Sequence, residues 1–91
     1  MYQKKAMIMN QSGLHAWPAM VFVECAQKFA CQVNIARASE TDLSVNAQSM
    51  VMLLTLGLCK GDEALIWANG PDERLAVDSL IDLIQSGFGE I

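Results

Sequence analysis

The stretch SGLHAWPAMVFVECA, residues 12–26, predicts where the first helix begins and which of its faces is buried. Gly13 allows a turn with positive φ, and Pro18 suits the first turn of a helix, where its missing N–H costs nothing. Apolar residues then recur at helical spacing, at Ala19, Phe22, Val23, Ala26 and Ala30. We therefore predict a helix from residue 16 to about residue 29, with this face toward the core.

Segments on both sides of this helix alternate apolar and polar residues, which is typical of strands. Residues 2–10 begin polar and turn apolar, and they form the predicted first strand. Val33 and Ile35 alternate within the second, residues 32–38. Across the polar turn SETD, residues 43–47 form a third strand and a hairpin with the second. In the fourth, residues 63–68, Ile66 alternates with Leu65 and Trp67.

Two further helices are predicted from their start and stop signals. Ser49 is a suitable N-cap for a short helix over residues 50–57, ended by Gly57. Pro71 followed by two acidic residues opens the last helix, and Gly87 is its expected C-terminal cap. Its predicted buried face contains Ala76, Leu80, Leu83 and Ile84, widened by Val77 and Ile81.

The predicted order is βαββαβα, which defines an α+β fold. Strands with one apolar face favour a four-stranded, mostly antiparallel sheet with all three helices packed on one side and water on the other, an open-faced β-sandwich. With 91 residues, the chain has enough length for one hydrophobic core but not for two. We expect residues 1–91 to form a single domain.

Composition excludes several classes of function. The net charge is −4 and the six Lys and Arg residues are scattered, which argues against a nucleic-acid partner. No apolar run reaches the roughly 18 residues of a membrane span, and the N-terminus lacks the features of a signal peptide. Cys25, Cys31 and Cys59 lack C-x-x-C spacing, so we expect buried, reduced thiols in a cytoplasmic protein, with no metal site and no cofactor.

His15, the only histidine, lies one residue ahead of the first helix, at the expected N-cap. It could be an ordinary surface residue, a structural cap or a chemical group. The position favours chemistry if an anion is involved, because a helix start presents unpaired N–H groups and the positive end of the dipole. The same field disfavours imidazolium, which leaves a nucleophilic nitrogen able to accept a phosphoryl group and pass it on.

These residues resemble a known family. SGLHAWPA (residues 12–19) is similar to the active-site motif G-[LIM]-H-A-R-P-A of the histidine-containing phosphocarrier proteins (HPr) of the phosphoenolpyruvate-dependent phosphotransferase system. AQSMVMLLTLGLCKGDEALIWANGPDE (residues 47–73) resembles the family's second signature, in which a serine opens a short helix. LIDLIQSGFGE (residues 80–90) is similar to the ending of the nitrogen-related branch. The resemblance covers nearly the whole chain and includes the predicted element order.

The resemblance implies a phosphoryl carrier rather than an enzyme. His15 Nδ1 would take the group from phosphorylated Enzyme I and deliver it to a IIA domain, while the backbone N–H groups of Ala16 and Trp17 hold the phosphate. A second hypothesis is a non-transferring regulatory binding module that keeps the fold and its apolar surface. A small enzyme is least favoured, because no motif supplies a second acid, base or metal ligand near the histidine.

Two positions qualify the resemblance. Trp17 stands where the family usually has an arginine, so a charged donor to the phosphate is missing. Trp17 either fills a gap against the helix or widens an apolar partner interface for Enzyme I and IIA domains, formed with Met20, Met50, Val51 and Leu54. Ser49 aligns with a serine that a kinase/phosphorylase modifies in some members, although a plain N-cap also explains it, and Gln48 replaces the lysine usual in those members.

Overall fold

The computed structural model describes residues 1–90 and has the predicted order of strands and helices. The α+β prediction is confirmed. The strands are β1 (Tyr2–Met7), β2 (Gln32–Arg37), β3 (Val45–Asn46) and β4 (Glu63–Asn69), and the helices are α1 (Ala16–Ala26), α2 (Met50–Thr55) and α3 (Glu73–Gln85). Two short 3-10 turns, Thr41–Leu43 and Gly87–Gly89, complete these elements.

The strands form one antiparallel sheet in the order β1-β4-β2-β3. β4 is central and pairs along its length with β1, from Tyr2 opposite Ala68 to Met7 opposite Glu63. On its other side it pairs with β2, and β3 adds a two-residue hairpin partner at the edge. The sheet is therefore the predicted open, four-stranded antiparallel one.

The core lies between the helices and one face of the sheet. Phe22 of α1, Ile66 of β4 and Leu80 of α3 are all fully buried. Leu65 and Trp67 point to the opposite face of β4 and are only half-buried, as strand alternation requires. Within residues 1–90 no helix is long and apolar enough to span a membrane, and α3, with 13 residues, is the longest.

The first strand and the first helix both end earlier than predicted. β1 stops at Met7 because Ile8 bonds to the turn before β4. The Ile8 N–H donates to the Asp62 carbonyl, and the Ile8 carbonyl accepts from Gly61 N–H. α1 ends at Ala26 rather than near residue 29. Ala30 is exposed beyond it, so its predicted place on the buried face is wrong.

The third strand is shorter than predicted because consecutive turns use its first residues. Glu40 N–H donates to the Arg37 carbonyl, and Leu43 N–H donates to the Glu40 carbonyl. Leu43 consequently lies in a 3-10 turn and is 57% exposed, which contradicts its predicted place in the strand. Strand alternation begins only at Val45.

The other helix limits differ from the prediction by one or two residues. α2 ends at Thr55, and Gly57 follows with φ 62°; α3 begins at Glu73, two residues after Pro71. Gly87 has the positive φ of 68° expected of a residue that ends a helix. Leu83 is only partly buried against the core, whereas the other predicted inward residues of α3 are fully or almost fully buried.

Candidate functional site

The loop before α1 is held by its own hydrogen bonds and by the segment that precedes β4. Asn10 is fully buried; its carbonyl accepts from Gly13 N–H, and its side-chain Nδ2 donates to the Gly13 carbonyl at 3.0 Å. Leu14 is buried as well, and its N–H donates to the Leu58 carbonyl at 2.9 Å. His15 therefore follows a fixed turn rather than a free loop.

Gly13 is required in this turn for two separate reasons. Its φ is 65°, in the left-handed region that L residues rarely adopt. In addition, a Cβ at this position would lie 2.6 Å from the Leu58 carbonyl oxygen and 2.8 Å from the Cys59 Cα. This close backbone approach brings the Leu58–Cys59 segment beside His15.

Glu90, near the end of the described chain, ties down the same loop. Its carboxylate accepts hydrogen bonds from Asn10 Nδ2 at 3.1 Å, from Ser12 N–H at 3.0 Å and from Ser12 Oγ at 2.9 Å. The Ser12 bonds, together with that from Asn10, lower the pKa of Glu90. The role of Glu90 could not be predicted from the sequence, because no local signal connects it to a loop some 80 positions earlier.

His15 occupies the predicted N-cap position of α1, with extended backbone angles of φ −131° and ψ 162°. Its side chain makes no capping hydrogen bond to the helix start. Ala16, the next residue, has φ 51° although it is not a glycine. Such a conformation costs an L residue about 1–2 kcal/mol, so the backbone is strained next to the imidazole.

Two backbone N–H groups at this helix start remain available. Across residues 1–90, no hydrogen bond in the structure uses the N–H of Ala16 or Trp17, and both residues are exposed. Pro18 has no N–H, and the first turn contains no acidic side chain. The positive end of the α1 dipole and the two amides thus face solvent beside a half-exposed imidazole, an arrangement suited to a phosphate group.

Cys59 is the second residue that the sequence analysis missed. We expected all three thiols to be buried, and Cys59 is exposed, with its Sγ 3.7 Å from His15 Nε2. The other two thiols lie away from this contact. Cys31 is buried, and burial raises the pKa of its thiol to about 11, so it remains protonated; Cys25 is half-buried.

Exposed apolar side chains lie at the start of α1 and along α2, two helices that contact each other. Trp17 is 56% exposed, so it does not fill a gap against the helix, and Met20, Val51 and Leu54 are exposed with it. Met52 is also exposed, at 43%, although it was not predicted. We call these five residues the apolar surface.

Met50 does not belong to the apolar surface. It is partly buried and packs against the core, so it is less exposed than these five residues, and its place in a partner interface stays a prediction. The reason is helical spacing: Met50 lies three positions before Leu53, the buried residue of α2, and therefore shares its inward face.

Ser49 is the predicted N-cap of α2. Its Oγ accepts a hydrogen bond from Met52 N–H at 3.3 Å.

Gln48 beside Ser49 has a structural role that the sequence did not reveal. Its Nε2 donates to the carbonyls of Ala26, Phe29 and Cys31, which joins the end of α1 to the start of α2.

Comparison with known proteins agrees with this geometry. The family model described as "PTS HPr component phosphorylation site" matches residues 2–86. The chain is 37% identical over 86 residues to phosphocarrier protein HPr of Borreliella burgdorferi, covering 94% of this chain and 96% of the relative. It is 31% identical over 83 residues to the multiphosphoryl transfer protein of Haemophilus influenzae, covering 91% of this chain and 17% of that longer protein.

A solved structure of HPr from Thermoanaerobacter tengcongensis superposes with a TM-score of 0.92 at 38% identity, covering 100% of this chain and 99% of the other. The family model and these relatives define the class of protein as a phosphocarrier of the phosphotransferase system. Within that class, the chain belongs to the HPr family.

Proposed function

We propose that this protein accepts a phosphoryl group on His15 from phosphorylated Enzyme I and passes it to a IIA domain. The observation that carries the proposal is the position of the imidazole beside the N–H groups of Ala16 and Trp17, which are free of hydrogen bonds among the described residues. Phosphoryl transfer needs positioning and charge stabilisation more than covalent assistance, and this helix start offers both.

The transfer is an in-line displacement. The lone pair of an imidazole nitrogen, Nδ1 in this proposal, attacks phosphorus while the bond from phosphorus to its donor in Enzyme I breaks. The phosphoryl oxygens then accept hydrogen bonds from the Ala16 and Trp17 N–H groups. These donors stabilise the negative charge of the phosphoryl group. In the second step a nucleophile of the IIA domain attacks the same phosphorus, and the nitrogen–phosphorus bond breaks.

Trp17 makes the site unusual within the family. An arginine at this position would supply several N–H donors and a permanent positive charge, whereas tryptophan supplies one indole N–H and no charge. We expect slower transfer through this protein than through an arginine variant of it. Conversely, the apolar surface that Trp17 extends supports docking of a partner whose contact face is also apolar.

Ser49 is a second proposed modification site, with a regulatory role. A phosphate on its Oγ would place about two negative charges at the edge of the apolar surface, next to Val51 and Met52. Burying these charges against an apolar partner face would be costly, so a serine kinase/phosphorylase acting here would weaken docking.

The decisive experiment incubates the protein with Enzyme I and labelled phosphoenolpyruvate. The proposal predicts an acid-labile, base-stable label in the natural protein and in Ser49→Ala, none in His15→Ala, and its loss to an added IIA domain. Because the chain has a single histidine, the assignment is unambiguous. An unlabelled protein that still binds these partners would overturn the proposal and favour the regulatory binding module that acts through Trp17, Met20 and Val51.

A further inference from the structure

The contact between Cys59 Sγ and His15 Nε2 has a direction that can be read from the neighbouring bonds. A thiol carries one proton, and the Cys59 S–H donates to the Gly57 carbonyl at 3.3 Å. Toward His15, 3.7 Å away, the sulfur can therefore act only as an acceptor. A hydrogen bond at this contact therefore requires the imidazole to carry its proton on Nε2.

A neutral imidazole has one N–H and one nitrogen with a free lone pair. If Nε2 holds the proton, Nδ1 is the nucleophile. We infer that Cys59 is a positioning residue for phosphoryl transfer: by accepting from Nε2–H it fixes the tautomer and ring orientation in which Nδ1 attacks phosphorus. The inference rests on the proposed function of His15 and adds a residue to it.

Cys59 is itself rigidly held, which a positioning role requires. Its N–H donates to Asp62 Oδ2 at 2.9 Å, and its carbonyl accepts from Asp62 N–H at 3.0 Å. Arg37 Nη2 donates to that same Asp62 oxygen at 3.2 Å, and the adjoining residue, Leu58, accepts from the loop before His15. The backbone of Cys59 is thus fixed relative to the start of α1.

The position of the thiol resembles the outer-shell groups that orient catalytic and metal-binding histidines. A sulfur acceptor is weaker than a carboxylate, so it favours one tautomer without adding a charge that would compete with the incoming phosphate. We therefore expect a modest effect on rate and a clear effect on the state of the ring.

The test compares Cys59→Ala and Cys59→Ser with the natural protein, using Cys25→Ala as a matched loss of a thiol elsewhere. Nitrogen-15 NMR of His15, in a buffer near pH 7.5 where an ordinary imidazole is mostly neutral and an ordinary thiol is mostly protonated, reports which nitrogen carries the proton. We expect a dominant Nε2–H form in the natural protein, in Cys25→Ala and, through the hydroxyl, in Cys59→Ser. Cys59→Ala should give averaged shifts of the two tautomers.

The same variants are then compared as phosphoryl acceptors from Enzyme I. Loss of one weak hydrogen bond should slow Cys59→Ala by about twofold to fivefold, with Cys59→Ser intermediate and Cys25→Ala unchanged. Identical ring spectra in Cys59→Ala and the natural protein would overturn the inference, as would a phosphoryl group found on Nε2. Both results leave phosphoryl transfer through His15 intact, although the second would move the acceptor atom from Nδ1 to Nε2, whereas an unlabelled natural protein would refute the transfer itself.

Discussion

The starts of α1 and α3 differ in which groups lie at the positive end of the helix dipole. α3 begins with two carboxylates, Asp72 and Glu73, at the positive end of its dipole. α1 begins with the imidazole of His15 and has no acidic residue in its first turn. The positive end of α3 is therefore balanced within the chain, and that of α1 is left for an external anion.

The two starts are also held in place differently. At α3, the Asp72 carboxylate accepts from the N–H groups of Ala30 and Cys31, and Glu73 accepts from Gly70 N–H. At α1 the loop is fixed by the contact of Gly13 with Leu58 and Cys59 and by Glu90. Charged groups stabilise α3 directly, whereas α1 is fixed by its neighbours so that its own amides stay free. We therefore expect the start of α3 to contribute stability and the start of α1 to serve the proposed binding of a phosphate.

The largest effect is expected where α1 depends on close backbone contact. Gly13→Ala places a Cβ against the Leu58 carbonyl at a positive φ, so we expect a loss of about 3 kcal/mol in the free energy of unfolding. Gly57→Ala is the matched control, because Gly57 has nearly the same φ, 62°, and nothing within 4 Å of its Cβ. Denaturant unfolding measures both. Equal losses would show that conformation alone, and not the contact, fixes the loop.

The next effect concerns the positively charged side chain that the start of α1 lacks. Trp17→Arg adds a charged donor at the free helix start, and we expect transfer from Enzyme I to rise by about tenfold, or ~1.4 kcal/mol of barrier. Trp17→Gln, which has no charge, is the control and should change the rate little. Stopped-flow or quench kinetics decide between them. Rates that do not respond to the arginine would contradict the view that the start of α1 is short of positive charge.

At α3, Asp72→Asn should lower the melting temperature by about 4–8 °C, because a charged acceptor of two N–H groups is lost. The control is Asp82→Asn, the same change in the exposed second half of α3, which should leave the melting temperature unchanged or slightly higher. If Asp72→Asn and Asp82→Asn had the same melting temperature, the start of α3 would not be held by the carboxylate of Asp72, and the contrast with α1 would fail.

The stability that Asp72 contributes has a defined pH dependence. The Ala30 N–H bond and the Cys31 contacts lower the pKa of Asp72, and the Gly70 N–H bond lowers that of Glu73. A carboxylate with a lowered pKa contributes stability that is complete above its unfolded pKa, about 4, and is lost as pH falls through the folded value. The natural protein should therefore lose more stability than Asp72→Asn between about pH 5 and pH 2. If the melting temperatures of the two proteins fell by the same amount over this pH range, Asp72 would not be a source of the pH dependence.

The smallest expected effect makes α1 resemble α3. His15→Asp puts a carboxylate at the α1 dipole and should stabilise the protein by about 0.5–1 kcal/mol, while it removes the proposed phosphoryl acceptor. His15→Asn separates the cap from the charge and should gain less. Thermal unfolding of the three proteins measures this. A destabilised His15→Asp would mean that the positive end of α1 is already compensated.

The sequence was sufficient for the order of elements and for the location of His15. Pro18 and Gly87 are local signals that the structure places as expected, and apolar spacing correctly predicts the buried residues Ala19 to Ala26 but not Ala30. The third strand was predicted too long, because nothing local distinguishes a 3-10 turn ending at Leu43 from the alternation of a strand.

The supporting groups around His15 could not be predicted in the same way. Cys59 and Glu90 reach this site across 44 and 78 positions of sequence. Their contacts depend on how β4 and the end of α3 return to the α1 loop, and neither residue type carries a motif for that role. The partial burial of Met50 could not be predicted either, because a six-residue helix has too few turns to fix its inward face from spacing alone.

The central claim is that the amides at the start of α1 hold a phosphoryl group on His15. Nitrogen-15-resolved amide spectra, recorded before and after phosphorylation by Enzyme I and phosphoenolpyruvate, test it directly. We predict that the largest downfield proton shifts fall on Ala16 and Trp17, while the amides at the starts of α2 and α3 hardly move. Shifts concentrated at Met52 or Glu73, or a phosphorylated protein whose Ala16 and Trp17 amides are unchanged, would contradict it.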